Sequence, residues 1–243
     1  DDVKNLMNYR FTKSNSIGNH SVKNLLLTAL LDLNGNFESS IKVLGKLMKI
    51  KGHVLPLTDD SIDLVGITDK GKIIIGEEKI TKCADRIKEL TYNKDFTVNP
   101  HIYEAIDEAD LIIFSSGSLL TSIIPHLIDK TLAGYIKNAK APKMYICNLF
   151  TQPGETDNYK VSDHIKRINE YLGNGGINIV IANDSKLDKD LAQKYLTNEQ
   201  KDQVVLDKKE LNKMNIHLIS DNLAIIEDGY FRHDSLKTAY LIF

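Results

Sequence analysis

Residues 110–127 read DLIIFSSGSLLTSIIPHL, and this stretch decides the fold. The apolar run 111–114 predicts a short buried strand, the small residues 115–118 predict a turn, and the apolar run from residue 119 predicts a helix. A turn of this kind leaves backbone N–H groups facing any anion bound there. Ligands of open α/β sheets bind at this end of the strands. The stretch therefore predicts an α/β protein that handles a phosphate or a nucleotide.

The rest of the chain alternates strands and helices in the same way. Such alternation predicts a Rossmann-like, mostly parallel sheet with helices on both faces. The predicted helices of this part span residues 101–108, 119–128, 130–138, 162–172 and 188–196. The predicted strands span residues 111–114, 143–149, 177–182, 203–206 and 215–219.

The first ninety residues have a different period. Helices are predicted at 3–11 and 22–33, and a third begins at 36–38. The third helix is expected to bury Ile41, Leu44, Leu47 and Met48. A β-hairpin excursion near 53–75 follows, with strands at 53–57, 62–67 and 73–75. Residues 81–90 fit either a helix or a twisted connector.

Composition narrows the function classes. The 243 residues, 42% of them hydrophobic, can bury a full core, and we expect a single domain over 1–243. The net charge of -2 does not favour nucleic acid, and Lys-rich 186–213 is interpreted as a solvated helical face. Cys83 and Cys147 are too few for a disulfide framework, which fits a reducing cytoplasm. Cys147 lies in an apolar run and is expected to be a buried thiol. No apolar run is long enough for membrane insertion.

Two polar segments follow predicted strands, and each has two interpretations. Residues 115–118 form either a phosphate-holding loop or an ordinary turn in which Ser118 caps the next helix. Residues 147–159 place Asn148, Thr151 and Gln152 after a buried strand. There their side chains could form hydrogen bonds to a base or a sugar. The alternative is a solvent loop before the helix that starts near residue 162. His164 is interpreted as a helix-surface residue.

Two further segments are candidates for ligand binding. In 18–25, a Gly-led turn feeds an apolar helix, so His20, Ser21 and Asn24 would lie at its N-terminus; the alternative is a structural histidine. In 231–235, Asp234 is an expected N-cap, and Arg232 is either a diphosphate ligand or a surface arginine paired with an acid.

Neither nucleophilic catalysis nor a metal site is predicted. The sequence has no Gly-x-Ser-x-Gly elbow and no zinc or EF-hand spacing. The adjacent acids Asp59 and Asp60 would point to different sides of a strand. The sequence assigns no catalytic residues.

Segments along nearly the whole chain resemble one family. They are GNHSVKNLLL at 18–27, VLP at 54–56, GSLLTSIIP at 117–125, CNLFTQPGETD at 147–157, SDH at 162–164 and RHD at 232–234. This set is similar to the bacterial YvcK proteins, often called gluconeogenesis factors. They belong to the wider CofD-like family, named for 2-phospho-L-lactate transferase.

The resemblance implies a Rossmann-like domain that begins with a strand and a Gly-rich phosphate loop. In the family an acidic-glycine segment follows this loop. Neither the loop nor that segment is present here, so we expect the chain to lack its N-terminal Gly-rich βα unit. Two departures from the family pattern matter. Residues 115–118 are Ser-Ser-Gly-Ser where the family has Gly-Pro-Gly-Ser, and Lys23 stands where the family has Gly.

The resemblance also implies a function. It is that of a cytoplasmic regulator that binds a UDP-sugar, such as UDP-N-acetylglucosamine or UDP-glucose, and links gluconeogenic carbon metabolism to cell-wall synthesis and cell shape. Arg232 is the first expected ligand contact. The other expected contacts are Gly117, Ser118, Asn148, His20, Ser21, Asn24, Thr151 and Gln152. The expected partners are the nucleotide sugar and cell-wall or metabolic proteins, with a homodimer as an option, and no cofactor is certain.

The alternative implied by the family is a phospholactate-type transferase. It would move a phospholactyl group from a guanosine-diphosphate-linked donor to a deazaflavin, with Mg²⁺. The enzyme branch has Asn-Pro after the turn, whereas this chain has Leu119-Leu120, which favours the regulator.

Overall fold

The computed structural model describes most of the chain, namely residues 2–12, 17–186, 190, 193, 195–197, 200–227 and 229–243. The helix expected at 188–196 falls largely outside these residues. The chain divides into two compact units, Asp1–Ser61 with Phe96–Ile102, and Ile62–Asp95 with Tyr103–Phe243.

Helices occur in both units. The α-helices of the described residues are α1 Asp2–Asn8, α2 Val22–Asn34, α3 Phe37–Leu47, α4 Glu77–Thr81, α5 His101–Asp107, α6 Lys130–Asn138, α7 Val161–Leu172, α8 Lys208–Lys213 and α9 Ser235–Ile242.

The strands of the described residues lie in the second unit. They are β1 Leu64–Thr68, β2 Ile73–Ile75, β3 Ile87–Tyr92, β4 Ile112–Phe114, β5 Lys143–Ile146, β6 Ile179–Asn183, β7 His217–Asp221, β8 Ala224–Glu227 and β9 Tyr230–His233. They form a three-stranded sheet of order β2-β1-β3, a four-stranded sheet of order β4-β5-β6-β7, and the hairpin β8-β9.

The four-stranded sheet is parallel throughout, which confirms the predicted α/β class with flanking helices. All four residues of β5 are buried, as expected for a central strand covered on both faces. Met144, Ile146, Ile181 and Leu223 form a core cluster with residues of α9 packed on it. Parallel pairing puts the ends of β4 and β5 at the same edge of the sheet.

The first unit is held by well-capped helices. Ser21 caps α2 by accepting from the N–H of Asn24, and Asn36 caps α3 by accepting from the N–H of Ser39. Gly35 ends α2 in the left-handed conformation at φ 75°, where glycine carries no Cβ penalty.

Two expectations for the first unit are wrong. Residues 53–57 form no strand, because Pro56 has no N–H to donate into a ladder. Leu47 and Met48 are 60% and 37% exposed rather than buried. Leu47 is the last residue of α3 and Met48 is its C-cap, so both lie at the end of the helix.

The hairpin expected before residue 75 is confirmed as the antiparallel pair β1-β2. The sequence of residues 81–90 fits a helix or a twisted connector. Residues 87–92, which overlap this segment, instead form β3, and β3 pairs antiparallel with β1. The expected strand at 203–206 reduces to isolated bridges, Phe150 with Gln203 and Lys160 with Val205. The hairpin β8-β9 was not predicted.

The segment after the first polar turn is not one α-helix. It is a π-helical turn, Leu119–Ile123, followed by a 3₁₀ turn, Ile124–Leu127. The N–H of Ile123 donates to the carbonyl of Ser118 at 3.2 Å, five residues back. Pro125 has no N–H for an α-helical bond, which disfavours a regular helix here. None of the helices in the described residues has the length and apolar content that a membrane crossing requires.

Candidate functional site

The two polar segments that follow β4 and β5 meet in space. The Asn148 side-chain amide donates from Nδ2 to the carbonyl of Gly117 at 3.0 Å. This bond confirms that the turn and the loop converge at one edge of the sheet. Together with residues of β9, they line a cleft of about 530 Å³. Its described lining is Ser116, Gly117, Ser118, Asn148, Leu149, Phe150, Thr151, Gln152, Tyr195, Lys201, Tyr230, Phe231, Arg232 and His233.

A buried carboxylate lies directly behind the first turn. Oε2 of Glu155 accepts from Ser118 Oγ at 2.7 Å and from the N–H of Leu120 at 3.4 Å. Glu155 therefore occupies the position that an anion would take at the start of this helical turn. Burial raises the pKa of Glu155, aided by the nearby Glu77 carboxylate, while the bonds from Ser118 and Leu120 act the opposite way.

Glycine is required at two points around the cleft. Gly154 has φ 77°, and a Cβ there would lie 2.1 Å from the carbonyl oxygen of Cys83. A Cβ on Gly117 would lie 2.8 Å from Cβ of Ser122. The loop after β5 thus packs its backbone against the connector before β3, where no side chain fits.

The loop after β5 is also folded on itself. The Thr151 hydroxyl accepts from the N–H of Asp202 at 3.0 Å, and the N–H of Thr151 donates to the Asp202 carbonyl at 2.8 Å. The N–H of Gln152 donates to Thr156 Oγ1 at 2.8 Å, and the N–H of Gly154 donates to Asp157 at 2.8 Å. Thr151 is only 2% exposed, so its hydroxyl holds the fold of the loop.

Four buried side-chain atoms of the described residues have no hydrogen-bond partner. Three are acceptor oxygens of the loop after β5, Oδ1 of Asn148, Oε1 of Gln152 and Oε1 of Glu155, and the fourth is Nε2 of His164. Unpaired buried acceptors are rare and costly. Three of the four atoms lie in the loop after β5, and the interpretation of this loop as a ligand-binding segment stays a prediction.

Arg232 reaches the cleft from β9. Its side chain is exposed, and its guanidinium lies 5.6 Å from the centre of the Tyr230 ring. Among the described residues it forms no ion pair, so the alternative of a surface arginine paired with an acid is not observed. Asp234 caps α9 as predicted, by accepting from the N–H of Lys237 at 2.9 Å.

An aromatic wall beside Arg232 is not evident from the sequence. The rings of Phe150 and Tyr195 stack at 4.5 Å, and Phe231 packs on both. The Tyr195 hydroxyl accepts from the N–H of Phe231 at 3.0 Å, which ties the hairpin to the cleft. A signal for the hairpin existed, since Asp228-Gly229 is a typical turn dipeptide between two strand-like runs.

Burial shifts the pKa values of three titratable groups in the direction that favours their neutral forms. Nε2 of His233 donates to the Cys147 carbonyl at 3.1 Å, and burial lowers the pKa of this histidine. Burial raises the pKa of Cys147 to about 12, which confirms the expected buried thiol. His164 is fully buried, so its interpretation as a surface residue is wrong; burial lowers its pKa to about 4. Among the described residues, no group of three or more His, Cys, Asp or Glu is arranged to hold a metal.

His20, Ser21 and Asn24 lie in the first compact unit. Ser21 is 1% exposed, and its hydroxyl is used in capping α2. His20 and Asn24 are exposed at the start of that helix. Their role in ligand binding stays a prediction. Lys23 donates to Asn8 at 3.2 Å.

Known proteins resemble the chain over nearly its full length. The family model described as 2-phospho-L-lactate transferase CofD matches residues 2–224. A Bacillus subtilis protein named gluconeogenesis factor is 34% identical over 99% of this chain and 76% of its own length. A Listeria monocytogenes protein of the same name is 37% identical over 98% of this chain and 73% of its own. A crystal structure from Bacillus halodurans, described as a member of the UPF0052 family, superimposes with a TM-score of 0.93 at 33% identity, covering 99% of this chain and 78% of that one.

Proposed function

We infer the function from the family, since this chain belongs to the CofD family. We propose that its cleft binds a UDP-sugar and that the protein is a regulator that does not catalyse a reaction. By this proposal it acts in the cytoplasm and links gluconeogenic carbon metabolism to cell-wall synthesis and cell shape. Relatives that are 33–38% identical over nearly the whole chain and carry the name gluconeogenesis factor support the metabolic part of the proposal.

The charge of the cleft is the observation that carries the proposal. Its described lining includes the guanidinium of Arg232 and no carboxylate. A guanidinium binds phosphate oxygens through two parallel hydrogen bonds, and Arg232 has no competing acid among the described residues. This arrangement suits the diphosphate of a nucleotide sugar.

The polar and aromatic lining suits the remainder of such a ligand. The ring of Tyr230 is about half exposed at the cleft, and an exposed ring is a platform for a base or a sugar. The polar residues Asn148, Thr151 and Gln152 of the loop after β5 line the same cleft. A base or sugar therefore has both an apolar and a polar surface to meet.

The transferase remains the second candidate, because the matching family model is that of an enzyme. Two assays separate the candidates. The first titrates UDP-N-acetylglucosamine into the protein by calorimetry, and we expect saturable binding. The second incubates the protein with Mg²⁺, a guanosine-diphosphate-linked phospholactyl donor and the deazaflavin acceptor. We expect no phospholactyl product by mass spectrometry; a product formed at a catalytic rate would establish the enzyme, and absent UDP-sugar binding would remove the regulator.

A further inference from the structure

The Ser118 hydroxyl lines the cleft but has no hydrogen left for a ligand. Its single hydrogen is donated to Glu155 Oε2 at 2.7 Å. Its oxygen accepts from the N–H of Thr121 at 3.1 Å and from Thr121 Oγ1 at 2.7 Å. As long as Glu155 is ionised, the side chain of Ser118 therefore offers an incoming phosphate no donor.

We propose that Glu155 is a positioning residue that acts on the cleft through Ser118, and that an anionic ligand binds there together with one proton taken up by Glu155. The inference rests on the proposed function, since it concerns the diphosphate of the same ligand. Glu155 itself touches no ligand, because Ser118 stands between its carboxyl group and the cleft.

The proton has a defined place. It comes from solvent and adds to Oε1 of Glu155, the carboxyl oxygen that has no partner among the described residues. Oε2 keeps its position beside Ser118 and Leu120, but it becomes a neutral acceptor. A hydrogen bond to a neutral acceptor is about half as strong as one to a charged acceptor. The Ser118 hydroxyl then donates its hydrogen bond to the ligand instead of to Glu155. The new O–H of Glu155 is the one covalent bond that forms.

Electrostatic repulsion, like the engaged Ser118 hydroxyl, weakens anion binding as long as Glu155 is ionised. Glu155 is 7% exposed, and a negative charge one side chain behind the cleft wall repels a diphosphate. Within the part of the chain that the structure describes, the charged group from another element that bears on Glu155 is the Glu77 carboxylate of α4, which also disfavours ionisation. The groups that donate to it, the Ser118 hydroxyl and the N–H of Leu120, are neutral. Both effects make anion binding tighter when Glu155 is protonated.

The test is the pH dependence of UDP-N-acetylglucosamine binding, measured by calorimetry on the full chain. The two phosphates of this ligand stay singly ionised across the range, so the ligand does not titrate. For the wild type we expect affinity to rise by about threefold or more from about pH 8 to about pH 5.5, below the single-proton limit of tenfold per pH unit.

Variants separate positioning from mere structural support. Glu155→Gln mimics the protonated form, so it should bind at about pH 8 as tightly as the wild type does at low pH, with a flat profile. Ser118→Ala removes the donor, so it should stay weak and gain less on acidification. Glu108→Gln, an exposed acid outside the cleft, is the matched control and should keep the wild-type profile. His233 also lines the cleft and could titrate, so we require that the rise in affinity at low pH is also seen in His233→Gln.

The outcomes distinguish this inference from the function on which it rests. A wild type that binds with a flat profile overturns the inference and leaves the function. The same holds if Glu155→Gln keeps the wild-type slope. No binding at any pH overturns both. If Glu155→Gln does not fold, ¹³C titration of the Glu155 carboxyl in the wild type decides, since the inference requires its pKa to rise when ligand is added.

Discussion

The side-chain amide of Asn148 donates to the carbonyl of Gly117 across 3.0 Å, although the two residues are 31 positions apart in the chain. This bond joins the ends of two neighbouring parallel strands. It also fixes which way the amide faces, since the reversed amide would place two oxygens together. The cleft wall is thus built by a contact between two loops that each follow a buried strand.

Asn148→Ala should weaken UDP-sugar binding and leave the fold intact. The change removes the bond to Gly117, which is worth about 0.5–1.5 kcal/mol, so the first turn is no longer held against the loop. Calorimetry with UDP-N-acetylglucosamine measures the effect. Asn138→Ala, at an exposed position on α6, is the control. Equal affinities for the two variants would show that the bond does not shape the site.

Gly154→Ala should be strongly destabilising. The added Cβ meets strain from φ 77° and a contact of 2.1 Å with the carbonyl oxygen of Cys83. Gly71 has the same φ of 77° with nothing within 4 Å, so Gly71→Ala isolates the cost of the backbone strain. We expect about 1 kcal/mol for Gly71→Ala and at least about 2 kcal/mol more for Gly154→Ala in urea unfolding. Similar losses would mean that Cys83 gives way easily.

Tyr195→Phe should loosen the hairpin that carries Arg232. The variant leaves the buried N–H of Phe231 without its acceptor, and this costs about 1–3 kcal/mol. The ring stack with Phe150 is kept, so the loss reports the hydroxyl alone. Faster amide exchange at Phe231, measured by mass spectrometry, is the expected local sign. An unchanged exchange rate at Phe231 would show that the Tyr195 hydroxyl does not hold the hairpin in place.

The stability of the protein should fall relative to Glu155→Gln as the pH rises. The folded-state pKa of Glu155 lies above its ordinary value because of burial, so folding favours the protonated form. That contribution is fully present below the unfolded-state pKa and is lost as the pH rises through the folded-state pKa. The glutamine variant does not titrate. Urea unfolding of both proteins at several pH values tests this, and a wild type that gains stability relative to Glu155→Gln as the pH rises would refute the sign.

Much of the fold was accessible from local pattern, whereas the chemistry behind the cleft was not. The strand at Ile112–Phe114 and the caps at Ser21 and Asp234 follow from residues adjacent in sequence. The bond between Ser118 and Glu155 spans 37 positions, and no spacing rule predicts it.

Tertiary pairing explains the errors in the predicted elements. Residues 87–92 form a strand because β1 offers an open edge, not because of their own pattern. Residues 119–127 depart from an α-helix around Pro125. The aromatic wall joins residues from the loop after β5, from position 195 and from β9, which sequence order keeps far apart.

Calorimetric titration of UDP-N-acetylglucosamine into the wild type and into Arg232→Ala tests the proposed site most directly. We expect the variant to lose about 1.5–3 kcal/mol of binding free energy, the scale of a charge-assisted hydrogen bond. Arg232→Lys should recover only part of this, because an ammonium cannot bind two oxygens in parallel. Arg86→Ala, at an exposed arginine outside the cleft, should bind like the wild type. Wild-type affinity in Arg232→Ala would place the ligand elsewhere.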